Sequence, residues 1–188
     1  AGNPFTRLAD PEGYLVSIGM APKTKIFATK VSNSTSFRFT ETHSSMVQEA
    51  RSFGASISLQ PWGREVRSFN MMTGEFSDPP AYSSTASEFD ALTRVANGDY
   101  FNPLPMLFVV SAGNAGWFCD MFACYMVEKT ITDPAFAKNI ISVGSFTGSP
   151  PEGGNRRDPV QSTSRGPTAD GRIAPTLVAP GVGITGMA

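Results

Sequence analysis

The run Met106 to Ala112 constrains this chain most, because a nearly unbroken apolar stretch of strand length has to be covered on both of its faces. A parallel sheet flanked by helices provides that cover. Ile140 to Val143 carries the same signature, and the segments before Met106 supply the helices. Thr42 to Phe53 places Met46, Val47, Ala50 and Phe53 at helical spacing, with Thr42 as N-cap and Gly54 just past the end. Ala55 to Leu59 then alternates apolar and polar residues before breaking at Pro61-Trp62-Gly63, so a helix feeds a strand and a β-α-β crossover is implied. From Thr85, a capping box with Glu88 precedes Phe89, Leu92, Val95 and Ala96 on one face, with Gly98 beyond them. Lys25 to Val31 reads as a strand, Ala1 to Met20 as loop with a short apolar patch at Tyr14 to Ile18, and Arg64 to Ser84 as a long surface loop.

Composition narrows the partners. The 188 residues, 40% of them hydrophobic, suffice for one domain with a sizeable core. With Lys+Arg 15 against Asp+Glu 16 there is no basic surplus to hold a phosphate backbone, so no nucleic acid partner is expected. The apolar runs fall far short of the roughly 20 residues that span a bilayer, and no membrane span is expected. Cys119 and Cys124 can close a small disulfide loop, stay as two thiols, or supply half of a metal site; with His43 the only histidine, zinc is poorly provided for. His43 itself reads as a solvated helix residue. The sequon Asn33-Ser34-Thr35 fits a secretory route.

Ligands of parallel sheets bind outside the carboxyl ends of the strands, which directs attention to the residues just past Leu59 and Val110. Phe108-Val109-Val110-Ser111-Ala112-Gly113-Asn114-Ala115-Gly116 puts a glycine and then a neutral amide at such an end. This segment resembles the strand and oxyanion-hole asparagine of subtilisin-like serine proteases. A tetrahedral intermediate develops charge on the former carbonyl oxygen, and an amide N–H donates to it without needing a counter-charge. Two further blocks come in the family's order. Ala137 to Gly144 is similar to the strand after the oxyanion loop; Ser162-Thr163-Ser164-Arg165-Gly166-Pro167, with Asp170-Gly171-Arg172-Ile173 and Ala179-Pro180-Gly181, is similar to the S-S-R-G-P, D-G-R-I and A-P-G run. Upstream, Gly19 to Ile26 resembles G-V-A-P-x-A-x-I, and Ser56 to Gly63 the strand ending in S-L-G or S-W-G.

The resemblance covers nearly the whole chain and implies an α/β, three-layer fold with a mostly parallel sheet, incomplete here, with residues 1–188 a partial peptidase domain. It implies a serine-type endopeptidase acting through an acyl-enzyme on polypeptide substrate. Asn114 would be the oxyanion donor; Pro61, Trp62 and Gly63 would wall the substrate pocket on one side, and Ser111, Ala112 and Gly113 on the other. Arg165 and Asp170 read as loop-shaping residues. No cofactor is required, although the family allows structural calcium; Thr176 stands where an aspartate of a weak cation site is common. A secreted or secretory-pathway location is implied by the same resemblance.

The departures are specific. The family's D-[ST]-G and H-G-T-x-V motifs are missing, since His43 is followed by two serines. Gly186 takes the place of the nucleophilic serine, Ala1-Gly2 matches the tail of the histidine block, and Trp117 to Glu128 reads as an insertion. The segment thus reads as the part between catalytic His and catalytic Ser, with the remainder of the protease as a partner. The alternative is a catalytically dead relative that binds peptides or serves as a structural module.

Overall fold

The computed structural model describes residues 21, 23–29, 32–33, 36–39, 42–79, 82–147 and 158–182. A short antiparallel pair, β1 (Ser32–Asn33) and β2 (Ser36–Phe39), precedes helix α1 (His43–Ser52). The Thr42 hydroxyl accepts from the Ser45 amide to start α1, and Gly54, at φ 85°, turns the chain out of it. Strand β3 (Ile57–Gln60) comes at once, as a crossover requires. The stretch expected to be loop contains a small hairpin, β4 (Phe69–Asn70) with β5 (Glu75–Phe76). Next come α2 (Ser84–Leu92), β6 (Leu107–Ser111), a second hairpin of β7 (Trp117–Cys119) and β8 (Cys124–Met126), β9 (Ile141–Thr147) and β10 (Leu177–Val182).

Four strands form one parallel sheet in the order β10-β9-β6-β3. This is the expected α/β architecture. Ile57 pairs with Leu107, Leu59 with Val109, and Val109 with Ile141. The period of two then sorts each strand into two faces. Phe108 and Val110 point from β6 into a core completed by Val47 of α1 and by Ala86, Phe89 and Leu92 of α2. Phe89 meets Phe108 edge-on at 5.1 Å between ring centroids. Both described helices thus cover one face. The opposite face carries Ile57, Leu59, Leu107 and Leu177, all exposed, and is where the other helical layer of a three-layer fold would lie.

Two expectations are corrected. Residues 25–29, the described part of the predicted strand Lys25–Val31, are irregular, 25–28 exposed and Thr29 half-buried, and no described strand pairs with them; residues 30 and 31, like Ala1 to Met20, lie outside the described residues. The second helix starts earlier than the Thr85 capping box predicts. Ser83, in extended backbone, accepts from the Ala86 amide, and the Glu88 carboxylate is drawn across to α1 instead.

Candidate functional site

Asn114 stands at the carboxyl end of β6, on a loop fixed almost entirely through the backbone. Ala112 N donates to Val143 O at 2.8 Å, and Ser164 N to Gly113 O at 2.9 Å. Ala115 N donates to Ser164 Oγ at 3.1 Å and Gly116 N to Ser162 O at 3.0 Å. Ser164 is fully buried and therefore clamps the residues on both sides of Asn114. Gly113 sits at φ 107°, and a Cβ there would overlap the Thr132 methyl and come within 2.8 Å of Ser164 Oγ, so no other residue fits. The Asn114 side chain itself is exposed, and no described residue hydrogen-bonds it. The arrangement is a rigid backbone presenting one amide to solvent.

The second sequence-derived segment leaves β3 at Pro61-Trp62-Gly63. Here side chains share the holding with the backbone. The Trp62 indole N–H donates to Gln60 Oε1 at 2.6 Å, its ring stacks on His43 at 5.3 Å and 13° between planes, and Phe89 meets it edge-on at 6.1 Å. Arg64 forms a two-way backbone bridge with Asp133, and its guanidinium reaches Asp133 Oδ2 at 2.9 Å. The buried Asp133 also accepts from Ser83 Oγ at 2.7 Å, tying this segment to the cap of α2.

Between the two lies Thr132, which nothing in the sequence singles out. Its N–H and its hydroxyl both donate to Ala112 O, at 3.0 and 3.1 Å. A Cβ on Gly63 or on Gly113 would strike Thr132, so the sequence-derived segments converge on it from opposite sides. The structure thus brings residues 61–64, 111–114 and 132–133 together. Pro61 and Gly63 are exposed and Ser111 and Gly113 half-buried, whereas the Ala112 side chain is in the core and only its backbone remains available. The Asp133-Pro134 dipeptide ahead of the Ala137 block is the one signal in the sequence that a turn lies there.

His43 corrects a further expectation. It is not a solvated helix residue: its side chain is 18% exposed, with Nδ1 3.1 Å from Glu88 Oε2. Ser44 donates to Glu88 Oε1 from both its amide, at 3.1 Å, and its hydroxyl, at 2.7 Å. Burial alone would raise the Glu88 pKa; the bonds from Ser44 and His43 outweigh it and hold the carboxyl below its ordinary value.

The other motif blocks act as scaffold. Arg172 pairs with Asp170 at 2.9 Å and donates to Phe136 O at 2.7 Å, so the D-G-R-I segment buttresses the turn after Asp133; hydrogen bonds from Arg172 and Thr168 pull the Asp170 carboxyl down to about 2. Ser145 N donates to the Thr163 hydroxyl at 2.9 Å. The Thr176 hydroxyl bonds the Ser142 amide and faces its hydroxyl at 3.1 Å. The segment read as an insertion, Trp117 to Glu128, contains the β7–β8 hairpin, closed by a Cys119–Cys124 disulfide. Its Phe118 packs against Phe69 and Phe76 of the β4–β5 hairpin at 4.3 and 5.1 Å, so the outgrowths from the two segments clasp each other. Gly186 lies outside the described residues.

A parallel α/β sheet with a backbone-clamped amide beyond one strand defines a class in which binding takes place at the strand ends. Comparison with protein families makes this specific: the subtilase family, peptidase S8, matches residues 5–187, and the chain belongs to that family. No curated protein sequence matches it. Among the described residues, no helix is long and apolar enough to cross a membrane.

Proposed function

We propose that this chain is the substrate-cleft portion of a serine-type endopeptidase, with Asn114 stabilising the oxyanion of the acyl-transfer intermediate. The observation that carries the reading is the contrast at Asn114: both flanking residues are hydrogen-bonded to one buried serine, while its own amide points outward without a described partner. A donor held in this way needs no reorganisation when charge develops on the substrate oxygen, which is the condition for large electrostatic stabilisation. Pro61, Trp62 and Gly63, opposite Ser111, Ala112 and Gly113, would border the chain of an extended polypeptide substrate, and Thr132 between them would limit how deep a side chain enters. Family membership supports the acyl-enzyme route, and no cofactor is called on for it. The disulfide and the secretory habit of subtilases favour an oxidising, secretory location.

The triad would have to come from sequence beyond these motifs. In the full-length protein, Asn114→Ala should lower kcat for peptide hydrolysis by about 10²- to 10³-fold with KM little changed. Unchanged turnover would remove Asn114 from the mechanism. Gly186, standing where the nucleophile belongs, favours a second reading, a peptide-binding module without catalysis. Peptide binding by a full-length protein that never forms an acyl-enzyme would establish that reading instead.

A further inference from the structure

We propose that Glu88 and His43 are positioning residues for Trp62, so that the Pro61–Gly63 segment is held according to the protonation state of the chain's one histidine. The effect on substrate rests on the cleft reading above; the coupling between His43 and Trp62 does not.

The indole is fixed in two ways. Its N–H edge is tied to its own strand, through Gln60 Oε1 at 2.6 Å, and Gln60 in turn donates to Ser58 Oγ at 2.7 Å. Its face is set by another element: the His43 imidazole at the start of α1 lies nearly parallel to it, and Phe89 of α2 meets both rings, His43 at 5.5 Å and Trp62 at 6.1 Å. The imidazole is aimed by Glu88, whose Oε2 takes its Nδ1 while Oε1 accepts two bonds from Ser44. The carboxylate is therefore itself immobilised, and the histidine ring is lodged between a fixed negative charge at its edge and the electron-rich face of an indole.

Among the described residues the ring meets Glu88 and the uncharged Phe89 from α2 and Trp62 from the segment after β3; of these Glu88 is ionisable, and it is hydrogen-bonded to the ring.

Residues 1–188 hold one histidine and two tryptophans, Trp62 and Trp117, so the signal is assigned by comparing variants in one background. Tryptophan emission of the full chain would be followed between pH 5 and 8, the window in which imidazoles titrate. In W117F, emission from Trp62 should fall sigmoidally as the pH drops, because an imidazolium in contact quenches an indole. In W62F, where only Trp117 reports, the transition should be absent. H43Q should abolish it, and E88Q, which removes the carboxylate that aims the ring, should reduce its amplitude. A flat W117F profile, a transition surviving in H43Q, or an unchanged amplitude in E88Q would overturn the proposal. If H43Q does not fold by circular dichroism, the W117F and W62F pair decides alone. For the substrate effect, KM and kcat of the full-length protein would be measured on a fluorogenic peptide mixture at one fixed pH. A higher KM at unchanged kcat in E88Q supports Trp62 as a cleft wall. A titrating Trp62 with unchanged KM keeps the coupling and overturns the wall.

Discussion

The two segments that face each other across Thr132 are held by different means. Residues 111–116 are fixed through their backbone groups, by four bonds to residues 143 and 162–164, and by a glycine at φ 107°. Residues 61–64 add side-chain holds, an indole on an imidazole and a guanidinium on a buried carboxylate, to one two-way backbone bridge between Arg64 and Asp133. Backbone bonds do not titrate and tolerate most substitutions, whereas side-chain holds depend on identity and pH. The first segment is held independently of pH, the second in part through groups that can change charge.

On this contrast, the largest effect should come from the backbone-held side. Gly113→Ala must relieve both a forbidden φ and an overlap with Thr132, and should cost about 3–5 kcal/mol in urea unfolding. An unchanged midpoint would break the comparison at its firmest point. Asp133→Ala comes next, because it strips the acceptor from Ser83 and the partner from Arg64; a loss of about 2–3 kcal/mol is expected by the same measurement. Glu88→Gln should be milder, under about 1 kcal/mol for a partly exposed carboxylate, and pH-dependent. Because the folded carboxyl lies below its ordinary 4.5, its contribution is fully present above that value and disappears as the pH falls through the lower folded value. The gap between wild type and Glu88→Gln in acid titrations should therefore close below about pH 4.5; a gap that widens there would reverse the assigned direction. The smallest effect belongs to Asn114→Ala, within about 0.5 kcal/mol, since its side chain supports nothing described. A large loss of stability would make Asn114 a structural residue.

The same contrast explains what is legible in the sequence. Asn114 stands out because of the ordered family-like blocks that flank it, since Gly-Asn-Ala-Gly by itself is ordinary turn chemistry. Strands β3, β6 and β9 and both helices are legible from their periods, but β10 is not, and α2 stops at Leu92, short of the predicted Val95 and Ala96, while β9 runs on to Thr147 because register with neighbouring strands decides where pairing stops. Lys25 to Val31 has strand composition but no partner alongside its described residues, and composition does not supply a ladder. The Thr85 box loses to Ser83, an equally good cap two residues earlier. His43 is misjudged from sequence because its environment is made by Glu88, 45 residues away, and by a tryptophan on a different element. Apart from the Asp-Pro turn signal, Thr132 and Asp133 carry no pattern, since their place is created only when strands distant in the chain are brought together. The Cys119–Cys124 bond settles a choice that spacing leaves open.

Strand β3 ends the sheet on one side, and among the described residues nothing pairs with its outer edge. It also shows Ile57 and Leu59, 57% and 71% exposed, on the uncovered face. A short open ladder flanked by apolar side chains is a template on which a second copy can add a strand. The isolated segment should therefore self-associate as its concentration rises, and sedimentation velocity should show the growth diminish when Leu59 is replaced by lysine.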